Sequence, residues 1–429
     1  MTVSSNQILE VLSSYDIRPM EDNFSEIDLP GIGEIEDGEG IYTTSLKEIF
    51  SNNGDIQSSD WPKSDDPRLK EWEVELDEII ESSSKGDWPD DGLLGRVFAQ
   101  PTDQPEHPCA WYCPIHYFGH GWGIFIREDC ILSHALDIAK FVPWSSVHLS
   151  KRKIRQQLLR SSFYVFFLHE QFHHKVESLG LRLLVATNKD HYRPYKKNVY
   201  RSTFLKPDCL EESLANAESL RRLSENRYSK RVDPSIRNGL KEFLKWSIPL
   251  QSPGYREGIN FVSDRNYRDG LYKLQSQMLD GCVPPTTDPS HWSIAPNMIT
   301  AISNIADDIY LILPKGSRPI FNATSVDPGS TASSQVVEGA LKKHYGYHLV
   351  RGGKGSHVKL AKPKSPTIIL PGNRSTLTPG VVKHVLDVIG GYPISRLPDL
   401  LSGKLEERAQ SKKFKVVSSN STHFLKSIY

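Results

Sequence analysis

Between residues 151 and 177 apolar side chains recur at helical spacing (Ile154, Leu158, Leu159, Phe163, Phe166, Phe167) with neither Pro nor Gly in the interval. The pattern predicts a long, largely buried helix that stops at Gly180, a residue suited to the position just past a helix end. A shorter amphipathic helix is expected at 69–82 and a basic one at 226–247. The aromatic and β-branched runs 111–117 and 122–126 predict a hairpin across Gly119-His120-Gly121. The stretch 207–218 reads as a helix capped by an Asp, with two acids in its first turn. Segment 191–201, in which Tyr192, Tyr195 and Tyr200 alternate with Arg193 and Arg201, reads as a solvated surface loop; the competing reading makes it a source of oxyanion donors. Helices are expected at 267–279 and 299–311, among Gly and Pro.

The last third has its own order. Residues 334–343 place Val336, Val337, Ala340 and Leu341 on one side of a helix. Alternating runs at 347–351 and 357–360 flank the turn Gly352-Gly353-Lys354-Gly355, a third strand is expected at 367–371, and a helix at 381–389 follows Thr378-Pro379-Gly380. This α-β-β-β-α succession is the double-stranded-RNA-binding-like arrangement.

Length and charge then bound the picture. A chain of 429 residues has room for two or three domains, each with its own core. The 52 basic and 52 acidic residues cancel, but unevenly: 21–39 is acidic (Glu21, Asp22, Glu26, Asp28, Glu34, Glu36, Asp37, Glu39) and the chain is basic from Lys342 onward. That gradient points to a solvated acidic half and a half that binds nucleic acid. An odd number of cysteines, 5, argues for a reducing compartment, and the start of the chain lacks the basic and apolar regions of an export signal. A cytoplasmic protein without a membrane partner is expected.

The most specific chemical signal lies in the long helix. In His169-Glu170-Gln171-Phe172-His173 the two imidazoles, four residues apart, share one helix face and reach one metal ion, with Glu170 beside them as general base toward water. Buried imidazole and carboxylate groups need partners, since leaving them unsatisfied costs roughly 1–3 kcal/mol each. A catalytic zinc site needs a third protein ligand. Glu212, with Asn216 four residues later, makes the chain resemble the gluzincin branch of the zincin metallopeptidases over about 111–222. That resemblance implies a zincin-like core, Zn2+ as cofactor, His169, His173 and Glu212 as ligands, Asn216 as the acceptor that orients a ligand imidazole, Glu170 as catalytic base, and an edge strand that holds extended peptide. Glu211, Glu177 and the neighbouring His174 compete for the third place, although three side chains on consecutive turns of one helix rarely converge. Cys109 and Cys113 with His107, His116 and His120 match no zinc spacing and read as strand packing.

A second resemblance covers about 333–401. Tyr345-Gly346-Tyr347, Val350-Arg351, Gly355-Ser356-His357-Val358-Lys359-Leu360, Ile369-Leu370-Pro371, Gly372-Asn373-Arg374 and Leu377-Thr378-Pro379-Gly380 occur in the order found in the HicA family of toxin mRNA interferases. The resemblance implies that His357 is catalytic, that an mRNA is the partner, and that an antitoxin-like protein accompanies the domain. Lys354, Lys359, Lys362, Lys364 and Arg374 are the expected phosphate contacts. Unlike members that begin at the first helix and stand alone, this domain follows a long N-terminal region, which leaves open whether it cleaves RNA or only binds it.

The expected organisation is α+β: an acidic region wrapping the core over 1–100, a zincin-like metal-binding domain over 101–250, a helical or irregular connector over 251–330, a HicA-like domain over 331–402, and a basic tail over 403–429. The expected function is a zinc-dependent hydrolase acting on peptide or protein, fused to an RNA-directed domain in a stress or toxin-type effector. Two alternatives stand beside it: an endoribonuclease centred on His357 and regulated by the peptidase-like part, and a non-catalytic binding scaffold.

Overall fold

A computed structural model of the chain describes residues 5–17, 35, 39–50, 66–84, 108–119, 122–223, 232–281, 300–301, 305, 308–325, 332–350, 357–363, 365–371, 377, 379–390, 392 and 396–406. Its long helices are α1 (Ser5–Ser14), α2 (Pro67–Ser84), α3 (Glu128–Ala139), α4 (Lys151–Thr187), α5 (Leu210–Arg222), α6 (Pro234–Ser247), α7 (Asp264–Asp280), α8 (Ser334–Tyr345) and α9 (Pro379–Gly390). Strands β1 (Glu39–Thr44), β2 (Ala110–Cys113), β3 (Gly123–Arg127), β4 (Ile309–Pro314) and β5 (Thr324–Ser325) form one sheet, in the order β2-β3-β4-β1-β5. Strands β6 (His348–Leu349), β7 (His357–Ala361) and β8 (Ile368–Pro371) form a second. The class is α+β.

Helix α4 begins where its sequence offers a cap: Ser150 is extended and its side chain accepts from the Lys153 N–H. It does not stop at Gly180. It runs on to Thr187 and ends on Asn188 in the left-handed conformation (φ 57°). Gly180 answers a different need, because a Cβ there would lie 2.7 Å from Cβ of Tyr192, which packs directly on the helix. Leu158, Leu159, Phe163 and Phe167 are buried in the core shared with α3, α6 and the first sheet.

The two strands expected before α4 pair antiparallel, Ala110 opposite Ile126 and Cys113 opposite Gly123. The first is shorter than expected: after Pro114, residues Ile115–Phe118 make a helical turn. The N–H groups of Ile115 and His116 are drawn to Glu177 of α4, at 3.1 and 2.8 Å, and so leave the ladder. The helix expected at 299–311 is replaced at its end by β4, the middle strand, parallel to β3 and antiparallel to β1. Ile309, Leu311, Ile312 and Leu313 are all buried, and a continuous apolar run of that length reads equally as buried helix or buried strand. One sheet therefore joins segments from the expected wrap, core and connector. Cys109 is disulfide-bonded to Cys130, tying the start of β2 to α3, so the odd cysteine count carries no argument for a reducing compartment. Among the described residues no helix is long and apolar enough to cross a membrane.

In the C-terminal part β6, β7 and β8 pair antiparallel in sequence order, preceded by α8 and followed by α9. Their own core contains Val337, Leu341, Leu360, Leu370, Val382 and Leu386. Ser333 caps α8 and Gly346, at φ 69°, ends it.

Candidate metal centre

Helices α4 and α5 pack side by side, and the centre lies on the face of α4 that carries His169 and His173. Helix α5 starts at Leu210 behind Cys209 with no side-chain cap, so the expected Asp cap is not formed. The backbone turn at 256–261 approaches α5 closely: a Cβ on Gly258 would lie 2.8 Å from Cβ of Asn216 and 2.9 Å from the Ser213 carbonyl oxygen. That approach brings the Tyr255 carbonyl to the amide group of Asn216, at 3.0 Å, while Gln251 Oε1 accepts from the same amide at 2.6 Å. Asn216 is thereby turned so that its oxygen faces His169 Nδ1 at 2.9 Å.

His169, held through Nδ1 by this acceptor, presents Nε2 to Glu212 Oε2 at 3.1 Å. His173 is arranged alike: its Nδ1 lies 2.7 Å from Glu211 Oε1, and its Nε2 lies 3.6 Å from the same Glu212 oxygen. The donor atoms of His169, His173 and Glu212 all fall within 4.8 Å of one another, the one such group among the described residues. Both Nδ1 atoms face acceptor oxygens and donate to them, so each Nε2 either carries a second proton toward the Glu212 carboxylate or, without it, offers its lone pair to a cation in the proton's place. Three acceptors meeting in a buried space require a cation between them, a proton or a metal ion.

The electrostatics follow from that convergence. Burial works against a charged imidazole, yet Glu212 and Glu211 outweigh it and push His173 up to about 10. Burial works to raise the Glu212 carboxyl, but His173 and the hydrogen bond from His169 hold it well below its usual range. Glu211 is likewise held down against burial, first by the Lys196 ammonium and then by His173. Glu170 is the exception: burial pushes its carboxyl up, only partly offset by His169 and His173, and no described residue donates a hydrogen bond to it. It is a basic carboxylate beside the donor group.

Segment 191–201 is not a solvated loop. Tyr192–Tyr195 forms a helical turn, Lys196–Tyr200 a single wide π turn and Arg201–Thr203 another helical turn, with Tyr192, Tyr195 and Lys196 buried. The Tyr195 hydroxyl donates to Glu211 Oε2 at 2.8 Å, Lys196 Nζ to Glu211 Oε1 at 3.2 Å, and the Tyr200 hydroxyl to Glu212 Oε1. Lys196 also sits 3.3 Å from the Tyr200 ring centre. The Tyr255 ring stacks on His169, centroids 5.8 Å apart. These residues, with Glu211 in its contact to His173, are what sequence reasoning missed; their partners lie on α4 and α5, beyond the reach of local pattern. Glu177 and His174 point elsewhere: Glu177 accepts from the Tyr112 hydroxyl and from His116, and His174 Nδ1 lies 2.9 Å from Tyr112.

In the C-terminal part His357 stands at the start of β7, opposite Pro371, and Lys359 is two residues further on, opposite Ile369. Lys362 lies 5.9 Å from the Tyr347 ring centre. Lys354, Lys364 and Arg374 fall outside the described residues. Comparison with protein-family models, with curated proteins and with solved structures finds no match for the chain.

Proposed function

We propose that the chain is a zinc-dependent hydrolase, with His169, His173 and Glu212 as metal ligands and Glu170 as general base. The observation that supports it most is the shared orientation of the two imidazoles: each has Nδ1 committed to an oxygen and Nε2 turned to Glu212. Two nitrogens and one carboxylate oxygen are the donor set of a catalytic zinc site, which leaves a position for water. Zinc bound there supplies Lewis acidity, acidifying water and polarising a carbonyl oxygen. Glu170, made more basic by burial, takes the proton from the attacking water and returns it to the leaving group. Tyr200 donates to Glu212, and burial keeps its phenol protonated, so that it remains a donor across the working pH range. The substrate class is a peptide or another amide, the bond for which this combination of base and Lewis acid is suited.

Purified protein carries about one zinc per chain on this reading, and His173→Ala carries none. Metal analysis that finds no zinc in the wild type, or an unchanged content in His173→Ala, removes the proposal.

A second reading concerns the C-terminal part. The observed succession α8-β6-β7-β8-α9 supports a domain directed at RNA, in which His357 acts as base on a ribose hydroxyl and Lys359 and Lys362 meet phosphates. Alternation along β7 assigns Lys359 to the face opposite the buried Leu360.

A further inference from the structure

Adjacent carboxylates on α5, Glu211 and Glu212, are both buried and both face imidazoles, so something must decide which of them belongs to the ion. Glu212 offers Oε2 to both Nε2 atoms. Glu211 has no oxygen to spare: Oε1 accepts from His173 Nδ1 and from Lys196, and Oε2 accepts from Tyr195. Lys196 is itself buried, its ammonium lying between Glu211 and the face of Tyr200. We propose that Glu211 is the positioning residue of His173 and that Tyr195 and Lys196, in the segment before α5, keep it out of the coordination set. It does for His173 what Asn216 does for His169. The inference rests on the zinc site proposed above and adds a division of labour within it.

Charge supports the same division. Lys196 pairs with Glu211 at 3.2 Å, which leaves Glu212 as the carboxylate that faces both Nε2 atoms. Without Lys196 a buried carboxylate beside the centre would lose its ammonium partner, keeping the donors Tyr195 and His173. Fixing the Nδ1–H of a ligand imidazole preserves its orientation and its tautomer, and losing such a contact lowers metal affinity about 10–100-fold.

The test measures zinc affinity by competition with a coloured chelator in the wild type, Glu211→Ala, Glu211→Gln and the double variant K196M/E211L. The double variant removes both charges together at similar volume, so that no buried lysine is left unpaired if Glu211→Ala fails to fold. Visible spectra of the cobalt-substituted proteins at saturation report the ligands themselves, and thermal melting of the metal-free proteins reports folding. Expected, once each affinity is corrected for the proton that binding releases at the working pH, are a loss of about 10–100-fold in Glu211→Ala and in the double variant, a loss under about tenfold in Glu211→Gln, whose amide oxygen still accepts from Nδ1–H, and a cobalt spectrum unchanged throughout. Wild-type affinity in the folded double variant, equal losses in Glu211→Gln and Glu211→Ala, or a changed cobalt spectrum in Glu211→Gln each overturns the inference while leaving the zinc site standing. A wild type that binds no zinc overturns both.

Discussion

If zinc occupies the proposed centre it competes there with a proton, and the competition can be measured. In the metal-free protein Glu212 and Glu211 push His173 up to about 10, so at pH 7 its imidazole is protonated. A ligand nitrogen must be neutral, and zinc binding therefore expels that proton. Three pH units correspond to about 4 kcal/mol, or an apparent affinity about a thousandfold below that of the deprotonated site. Between pH 7 and 8 the affinity should rise about tenfold, with about one proton released per zinc bound. Chelator competition at the two pH values gives the slope, and an indicator dye in weakly buffered solution gives the proton count. A flat affinity, or zinc bound without proton release, refutes the idea that the carboxylates of α5 hold His173 charged. The same shift has a consequence for folding without metal. A pKa raised above the unfolded value of about 6.5 contributes stability that is fully present below that pH and is lost as pH rises through about 10. Metal-free protein should thus melt at lower temperature in alkali, and added zinc should offset the loss.

Other outcomes are equally specific. Glu170→Gln should keep its zinc, measured by metal analysis, and lose hydrolysis of any amide substrate by at least about a hundredfold, because a positioned base contributes that much. Gly180→Ala, which in an open helix would gain stability, should instead cost about 1–3 kcal/mol in a denaturant titration, since the new methyl meets Tyr192 at 2.7 Å. If the RNA-directed reading holds, overexpression arrests growth with RNA decay, His357→Ala abolishes both, and Glu170→Ala changes neither.

Much of the centre was legible because it is built from helical periodicity. His169 with His173, and Glu212 with Asn216, are each four apart, and four residues on a helix place two side chains on one face whatever surrounds them. Third-ligand candidates Glu211 and Glu177 fitted less well, one with Ala215 rather than an Asp or Asn four residues on, the other on the same helix as both histidines; the structure shows the donors each meets instead, Tyr195 and Lys196 for one, Tyr112 and His116 for the other. Those donors come from distant segments and leave no local trace. Segment 191–201 shows the same limit, because a mixture of phenols and cations around a Pro looks solvated until the buried acids that accept from it are known. Gly180 and β4 were ambiguous for another reason. A glycine marks a helix end or a close contact, and an apolar run of six residues suits a buried strand as well as a helix.

The position of β4 carries a consequence for how the molecule is made. Its hydrogen bonds to β1 and β3 close the sheet behind α4, and β4 is among the last segments of this body to leave the ribosome. Until then β1 has no partner strand and the β2–β3 hairpin stands with an open apolar edge beside the helix that bears His169 and His173. Pairings of such high sequence separation form late and slowly, and their exposed edges invite aggregation. A nascent or truncated chain ending before Ile309 therefore has both histidines but lacks the completed sheet that supports their helix, so on the proposed metal reading loading would be coupled to synthesis of β4 rather than to synthesis of the ligands.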